Sequence, residues 1–224
     1  LYPENTIYAF RKLDESGFDV FEVDLVLTKD NKLISHHDID LLRSTGDSEK
    51  IISLTYDEIV TKYLESNFAS EFRDYNNKKI LDIESVKSEI VPATLEYLFE
   101  QYKNKMFILE IKDIIEKSEK EVFIKVVDEL ISLIDKYNMK NRVIVASFDD
   151  EVIEKVREKS NNEIMTSAGI NESIKFVKYS LLRIDFFYRP KDAVLILPVK
   201  QDLSEYQLEI ERRIPKIIRN HVIQ

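Results

Sequence analysis

The chain has no cysteine, no tryptophan and only three glycines among its 224 residues. The lack of cysteine excludes disulfide bonds and thiolate metal sites. No apolar run is long enough to span a bilayer and no signal peptide is visible, so a cytoplasmic location is favoured. Basic residues are outnumbered, and the net charge of −9 disfavours nucleic acid as the main partner, because phosphate backbones attract basic surfaces. Membrane association and oligomeric state are left open.

The residues that are present describe a folded globular protein. Apolar residues make up 44% of the chain and charged residues 33%, which is typical of a chain that buries a core. A length of 224 residues fits one α/β domain or two small ones. No low-complexity linker divides the chain, so we predict a single domain covering residues 1–224.

The stretch from Phe18 to Asp38 holds the first candidate catalytic and metal-binding groups. Its first half alternates apolar residues with Glu22 and Asp24, so a strand would place both carboxylates on one face. The turn-forming run Thr28–Lys32 precedes a second short apolar run, which ends in His-His-Asp at 36–38. The pattern therefore brings histidine close to an acidic pair.

Each of these groups has two interpretations. A lone Glu-x-Asp pair is more often a solvated strand face. Here the apolar neighbours of Glu22 and Asp24 indicate a buried parallel strand, in which unpaired carboxylates are costly without a cation. For His36 and His37 the alternative to a functional role is one core imidazole and one exposed imidazole. Their position together at a strand end favours function.

Downstream, strand and helix patterns alternate, which predicts a parallel sheet. A helix beginning at Pro92-Ala93-Thr94 and ending at about Gln101 opens this part. The remaining predicted elements are strands at 107–112, 143–147, 163–166 and 193–197 and helices at 118–137, 149–159, 171–182 and 203–220.

The region 41–88 has no steady period except for one helical run, and we interpret it as an insertion within the single domain. Four aromatic residues in it could line a pocket or pack into the insertion's own small core. They are Tyr63, Phe68, Phe72 and Tyr75.

Several short motifs follow one another along the chain. They are Pro-Glu-Asn-Thr at 3–6, Glu-x-Asp at 22–24, Thr-Lys-Asp at 28–30, His-Asp at 37–38, Pro-Ala-Thr-Leu-Glu at 92–96, Glu-Ile-Lys at 110–112 and an apolar strand at 143–148. In this order they resemble the glycerophosphodiester phosphodiesterase family, with Ala93 as an extra residue. No single motif is specific, but their joint order across most of the chain is.

The resemblance implies a TIM-type (β/α)₈ barrel, in which the carboxyl ends of the strands carry the chemistry. This chain would cover strands two to seven, with the insertion after the third strand. The family's first strand ends in His-Arg-Gly and its last carries Trp-Thr-Val-Asn, and neither motif occurs between Leu1 and Gln224. Because the first and eighth strands are neighbours in a closed barrel, their absence would leave two open edges. We therefore expect the domain to be incomplete at both ends and the chain to be part of a longer protein.

The resemblance also assigns roles to residues. It makes Glu22, Asp24 and Glu110 the ligands of one divalent cation, Ca²⁺ or Mg²⁺, since oxygen-only ligation suits a hard cation. It makes His37 the acid that protonates the leaving alcohol, and Lys112 the group that offsets charge on the phosphate. His36 precedes the motif, and alternation sends its ring to the face opposite His37, so we assign it a structural role. Substrate-binding residues are not assigned.

The implied function is metal-dependent hydrolysis of small-molecule glycerophosphodiesters to glycerol 3-phosphate and an alcohol, in lipid and glycerol metabolism. One alternative is a phospholipase D-like lyase that forms a cyclic phosphate. The other is a non-catalytic module that binds phosphodiesters or a membrane surface. A His-Arg pair upstream of Leu1 would favour catalysis, and its replacement would favour binding.

Overall fold

The computed structural model describes residues 2–74, 77–112 and 120–195, which form a five-stranded sheet and the helices around it. The strands are β1 (Val20–Leu27), β2 (Leu33–Ser35), β3 (Met106–Ile111), β4 (Val143–Ala146) and β5 (Met165–Thr166). The helices are α1 (Ile7–Glu15), α2 (Leu42–Thr45), α3 (Tyr56–Glu65), α4 (Leu95–Gln101), α5 (Lys120–Lys136), α6 (Asp150–Lys159) and α7 (Ile170–Leu181). None of these helices has the combination of length and apolar composition needed to cross a membrane.

The main hydrophobic core lies between one face of the sheet and the helices. Alternate strand residues supply the sheet side of this core, and they are Phe21, Val23, Leu25 and Leu27 of β1, Phe107, Leu109 and Ile111 of β3, and Val143 and Val145 of β4. Helices α4, α5 and α6 supply the other side through residues such as Leu98, Leu130 and Val152. Since successive side chains of a strand point to opposite faces, Glu22 and Asp24 lie on the face away from the helices, as the alternation predicted.

Most of the sheet is parallel, in the order β2-β1-β3-β4-β5. Strand β1 pairs in parallel with β3, β3 with β4, and β4 with β5. The next predicted strand, 193–197, begins as expected, because Val194 makes a parallel bridge to Ser167. Its last residues and the helix predicted at 203–220 lie outside the described residues. The predicted fold class is confirmed: the chain is α/β with a mostly parallel sheet, as in part of a (β/α)₈ barrel.

The count of barrel strands needs one correction. The run Leu33–Ser35 pairs antiparallel with the end of β1, while β1 pairs directly with β3. It is therefore the second arm of a hairpin and not the third parallel strand. The turn explains the geometry: Asn31 has φ 59°, and the Thr28 hydroxyl accepts a 2.9 Å hydrogen bond from the Lys32 amide. A connection this short can join antiparallel strands only, because parallel strands need a long crossover.

The region 41–88 consists of α2, α3 and short 3₁₀ turns. Helix α3 begins at a capping box, in which Thr55 and Glu58 satisfy each other's backbone amides. Residues of α3 pack with Val26 and Ile34 of the hairpin in a second hydrophobic cluster. The later part of the region packs against Tyr8 of α1 in a third cluster. That this region is an insertion within one domain stays a prediction.

Candidate active site

The parallel register of β1 and β3 brings the acidic residues together. It pairs Asp24 directly with Glu110, and Glu22 lies two residues earlier on the same face of β1. One carboxylate oxygen from each of the three residues lies within 4.8 Å of the other two. Asp24 is buried, but Glu22 is exposed because it lies nearer the start of β1, where Val20 is also exposed. The cluster is therefore enclosed by protein at Asp24 and accessible to solvent at Glu22.

Two side chains hold the buried Asp24 carboxylate. The Lys112 ammonium lies 2.7 Å from Asp24 Oδ1 and 2.9 Å from Glu110 Oε1. Asn5 Nδ2 donates to Asp24 Oδ2 at 3.2 Å. Asn5 has φ 57°, a left-handed conformation that asparagine tolerates better than most residues. Asn5 was not among the predicted site residues, although its place in the Pro-Glu-Asn-Thr motif was a signal that could have found it.

The charges in this group suit a bound cation. Partial desolvation of the carboxyl group, with repulsion from Asp24 and Glu110, raises the pKa of Glu22 to about 7. Desolvation of Lys112 opposes its charge, but hydrogen bonds to Asp24 and Glu110 prevail and raise its pKa. Of the three carboxylates, those of Asp24 and Glu110 contact Lys112, and carboxylate oxygen atoms are the ligands that Ca²⁺ and Mg²⁺ prefer. The residues present fit the predicted divalent cation.

The raised pKa of Glu22 predicts a pH-dependent stability in metal-free protein. The carboxyl group titrates near 4.5 when unfolded and near 7 when folded. Between these values the folded state binds more protons, so the free energy of unfolding falls as pH rises. We expect the melting temperature of wild type, relative to Glu22→Gln, to fall from pH 4.5 to pH 7. Saturating Mg²⁺ or Ca²⁺ should abolish this difference, because a cation holds the carboxylate ionised. Parallel melting curves of the two metal-free proteins would contradict the assignment.

His37 lies immediately after the hairpin, beside a small charged network. Its ring is 53% exposed, and Nδ1 lies 2.7 Å from Asp38 Oδ1. Arg43 Nε donates to Asp38 Oδ2 at 2.6 Å, and Arg43 also pairs with Glu4. Although desolvation opposes it, hydrogen bonding to His37 and Arg43 lowers the pKa of Asp38. Asp38 is therefore a carboxylate that accepts from Nδ1 of His37, which leaves Nε2 as the nitrogen that could act on a substrate.

His36 and His37 lie in opposite environments, as the alternation predicted. His36 is only 3% exposed, whereas the His37 side chain is 53% exposed. The His36 backbone amide donates to the Asp24 carbonyl at 3.0 Å. The start of the His-His-Asp turn is thereby tied to the strand that carries the acidic residues.

The aromatic residues of the region 41–88 pack into hydrophobic clusters. Tyr63 is buried among Leu41, Ile51 and Ile59. Phe68 and Phe72 pack against the cluster that contains Tyr8. Of the two open interpretations, packing within the protein holds for these three residues, because their rings contact one another. Tyr75 lies outside the described residues.

The glycerophosphoryl diester phosphodiesterase family matches residues 1–177. The chain belongs to this family. Glu22, Asp24, His37, Glu110 and Lys112 all lie within the matched residues, and the predicted family is confirmed. The family consists of phosphoric diester hydrolases with a TIM-barrel fold.

Sequence relatives carry the family's name. A glycerophosphodiester phosphodiesterase of Caldanaerobacter subterraneus subsp. tengcongensis is 32% identical over 147 residues, which is 66% of this chain and 53% of the relative. The human lysophospholipase D GDPD1 is 30% identical over 161 residues, covering 72% of this chain and 46% of the relative. The chain therefore spans about half the length of these curated relatives.

Solved structures support the fold. The glycerophosphoryl diester phosphodiesterase domain of a Mycobacterium tuberculosis protein superimposes with a TM-score of 0.63 at 14% identity, covering 84% of this chain and 63% of that domain. A phosphodiesterase of Oleispira antarctica, solved with the product sn-glycerol-3-phosphate, superimposes with a TM-score of 0.60 at 14% identity. That superposition covers 100% of this chain and 92% of the other. At such identities the likeness concerns the fold alone.

Proposed function

We propose that the protein hydrolyses glycerophosphodiesters to glycerol 3-phosphate and an alcohol, with the help of one divalent cation. The observation that carries this proposal is the cluster of Glu22, Asp24 and Glu110 around Lys112. It combines ligands for a hard cation with a positive charge for a phosphate on one face of two neighbouring barrel strands. Family membership and the names of the relatives supply the substrate class.

Glu22, Asp24 and Glu110 would hold the cation, Ca²⁺ or Mg²⁺. A bound divalent cation polarises a phosphoryl oxygen and stabilises the charge that develops on it. Glu22 is the exposed member of the three, and its carboxyl group is half-protonated near pH 7 without a cation. Cation binding must displace that proton, so affinity should fall as pH drops below about 7.

The remaining roles fall to this chain's own side chains. Lys112 immediately follows β3, is charged and lies beside the proposed cation ligands, so it can neutralise a second phosphate oxygen. His37 protonates the leaving alcohol through Nε2, while Asp38 accepts a hydrogen bond from Nδ1 and stabilises the charged ring. Arg43 donates a hydrogen bond to the other carboxylate oxygen of Asp38. The acid and the phosphate-binding groups thus come from adjacent segments.

The test is to incubate the full-length protein with glycerophosphocholine and Mg²⁺ or Ca²⁺ and to follow the phosphorus products by ³¹P NMR. Hydrolysis gives glycerol 3-phosphate as the first product. A cyclic glycerophosphate that accumulates before it would identify the lyase alternative. Saturable binding without turnover would identify a binding module and overturn the proposal.

Part of the region 41–88 and the residues just before it are expected to influence which alcohol is accepted. Ile39, Lys50 and Ile52 line an apolar groove together with Ile111 and Lys112, at the carboxyl ends of β1 and β3. Loops at this end of such barrels form the rim of the active site. The groove extends from Lys112 toward Leu25 and Val122 on the helix side of the sheet, so it would contact the alcohol part of a substrate rather than the cation.

Truncation of the wall of this groove by Ile39→Ala or Ile52→Ala should change the ranking of substrates. Removing methylene groups from a pocket changes the ratio of kcat/KM between two substrates by roughly 10-fold. The measurement is kcat/KM for glycerophosphocholine, glycerophosphoinositol and an uncharged aryl diester. Leu64→Ala is the control, since Leu64 belongs to the same region and is 52% exposed. An equal loss on all three substrates would refute a role in selectivity.

A further inference from the structure

His36 is enclosed by polar partners from three parts of the chain. The residue is 3% exposed. Nδ1 lies 2.7 Å from the Asp38 carbonyl oxygen and 3.2 Å from the Asp38 amide nitrogen. Nε2 lies 3.3 Å from the Ser44 hydroxyl, and the ring meets Tyr63 edge-on, with the centroids 6.2 Å apart. The residue thus connects the catalytic turn with α2 and α3.

The protonation state of His36 follows from these contacts. Burial lowers the pKa of the ring, so the imidazole is neutral and carries a single proton. In either tautomer Nδ1 contacts the backbone of Asp38, as a donor to its carbonyl oxygen or as an acceptor from its amide. Nε2 lies 3.3 Å from the oxygen of the Ser44 hydroxyl, which donates its own proton to the Leu41 carbonyl at 3.1 Å. With both nitrogens engaged and the ring buried, His36 is neither a second acid nor a cation ligand.

Asp38 connects His36 with the proposed acid His37. The backbone of Asp38 contacts Nδ1 of His36, and the carboxylate of Asp38 contacts Nδ1 of His37. The His36 amide is in turn fixed to the Asp24 carbonyl. The position of Asp38 relative to the carboxylate cluster is therefore set through His36. A change of about 1 Å in the position of a catalytic group costs roughly 100-fold in rate.

We propose that His36 is a positioning residue, which holds the backbone of Asp38 so that the Asp38 carboxylate orients His37 for proton transfer. The inference rests on the proposed function, in which His37 is the acid. It concerns only the Nδ1 contact, since that atom reaches Asp38.

Two amide variants separate this role from general packing. In His36→Asn the side-chain amide occupies the position of Nδ1 and can form a hydrogen bond with the backbone of Asp38. In His36→Gln the amide extends to the position of Nε2 and reaches Ser44 instead. Both variants lose the ring contact with Tyr63, so they are matched in packing. Ile59→Ala loosens the buried cluster that contains Tyr63 and serves as the stability control.

The full-length variants are compared by thermal melting and by turnover of glycerophosphocholine and a p-nitrophenyl diester. We expect His36→Gln to lower kcat on glycerophosphocholine by about 10- to 100-fold with KM unchanged. The p-nitrophenyl diester should be less affected, because its leaving group needs little protonation. His36→Asn should retain kcat, and Ile59→Ala should lose melting temperature alone.

Equal kcat values for the Asn and Gln variants, or a Gln defect that is the same on both substrates, would overturn the proposal. A wild type that binds but does not turn over its substrate would contradict the proposed function instead. In that case the positioning role of His36 is tested by the ¹⁵N chemical shifts of the His37 ring. The Nδ1–H tautomer should persist in His36→Asn and be lost in His36→Gln, and identical His37 shifts in the two variants would refute positioning.

Discussion

An Asp24→Asn variant of the full-length protein is expected to lose roughly 1,000-fold or more in kcat/KM, because stabilisation of transition-state charge by a bound cation is worth several kcal/mol. The substitution keeps the shape of the side chain and one oxygen for Lys112. It removes the charge of the buried member of the cluster, which alone contacts both Lys112 and Asn5. EDTA should produce the same loss in wild type, and readdition of Mg²⁺ or Ca²⁺ should restore activity.

Two measurements make this prediction specific to the cluster. Isothermal titration should show weaker binding of the cation to Asp24→Asn than to wild type. Asp19→Asn is the matched control, since Asp19 immediately precedes β1 and its side chain is 93% exposed. Activity that is indifferent to EDTA, or an equal loss in the two variants, would rule out the proposed metal site.

A His37→Ala variant is expected to lower kcat by roughly 10²–10⁴-fold, the usual range for the loss of a general acid. Its melting temperature should change little, because the ring is 53% exposed. The loss should be smaller on an aryl diester, whose leaving group needs less protonation. These outcomes are measured by steady-state kinetics and thermal melting of the same preparation.

The control for His37 is Lys29→Ala, which changes an exposed residue of the neighbouring hairpin turn. A His37→Ala protein with a lowered melting temperature and normal turnover of its folded fraction would assign His37 a structural role. Together with the Asp24 variant, this experiment separates the acid from the cation ligands. Loss of the acid should leave cation affinity unchanged, whereas loss of the ligand should not.

Much of the local structure could be predicted because its signals are short-range. The helix patterns gave α4 to α7 nearly at their observed positions, and Thr94 caps α4 as the Pro-Ala-Thr run indicated. The alternation in β1 assigned Glu22 and Asp24 to one face. The exposure of Glu22 was not predicted, because it depends on tertiary packing around the start of β1.

The hairpin was misjudged for a reason of topology. Leu33–Ser35 has the apolar character of a barrel strand, and periodicity does not report the direction of pairing. The short connection after β1 was the better guide, because it permits antiparallel pairing only. The same limit applied to Phe68 and Phe72: their sequence neighbours do not reveal that these rings pack toward α1.

The sequence by itself determined which chemical groups are available and which face of a strand or helix each one occupies, because a period of two or of 3.6 residues is a local property. It also determined the family, through motifs in a fixed order. Only the tertiary structure decided that Asp24 lies beside Glu110, that Lys112 pairs with both, and that His36 reaches Ser44 and Tyr63. Those contacts depend on strand register and on packing between distant segments, and a shift of one residue would turn every side chain to the other face.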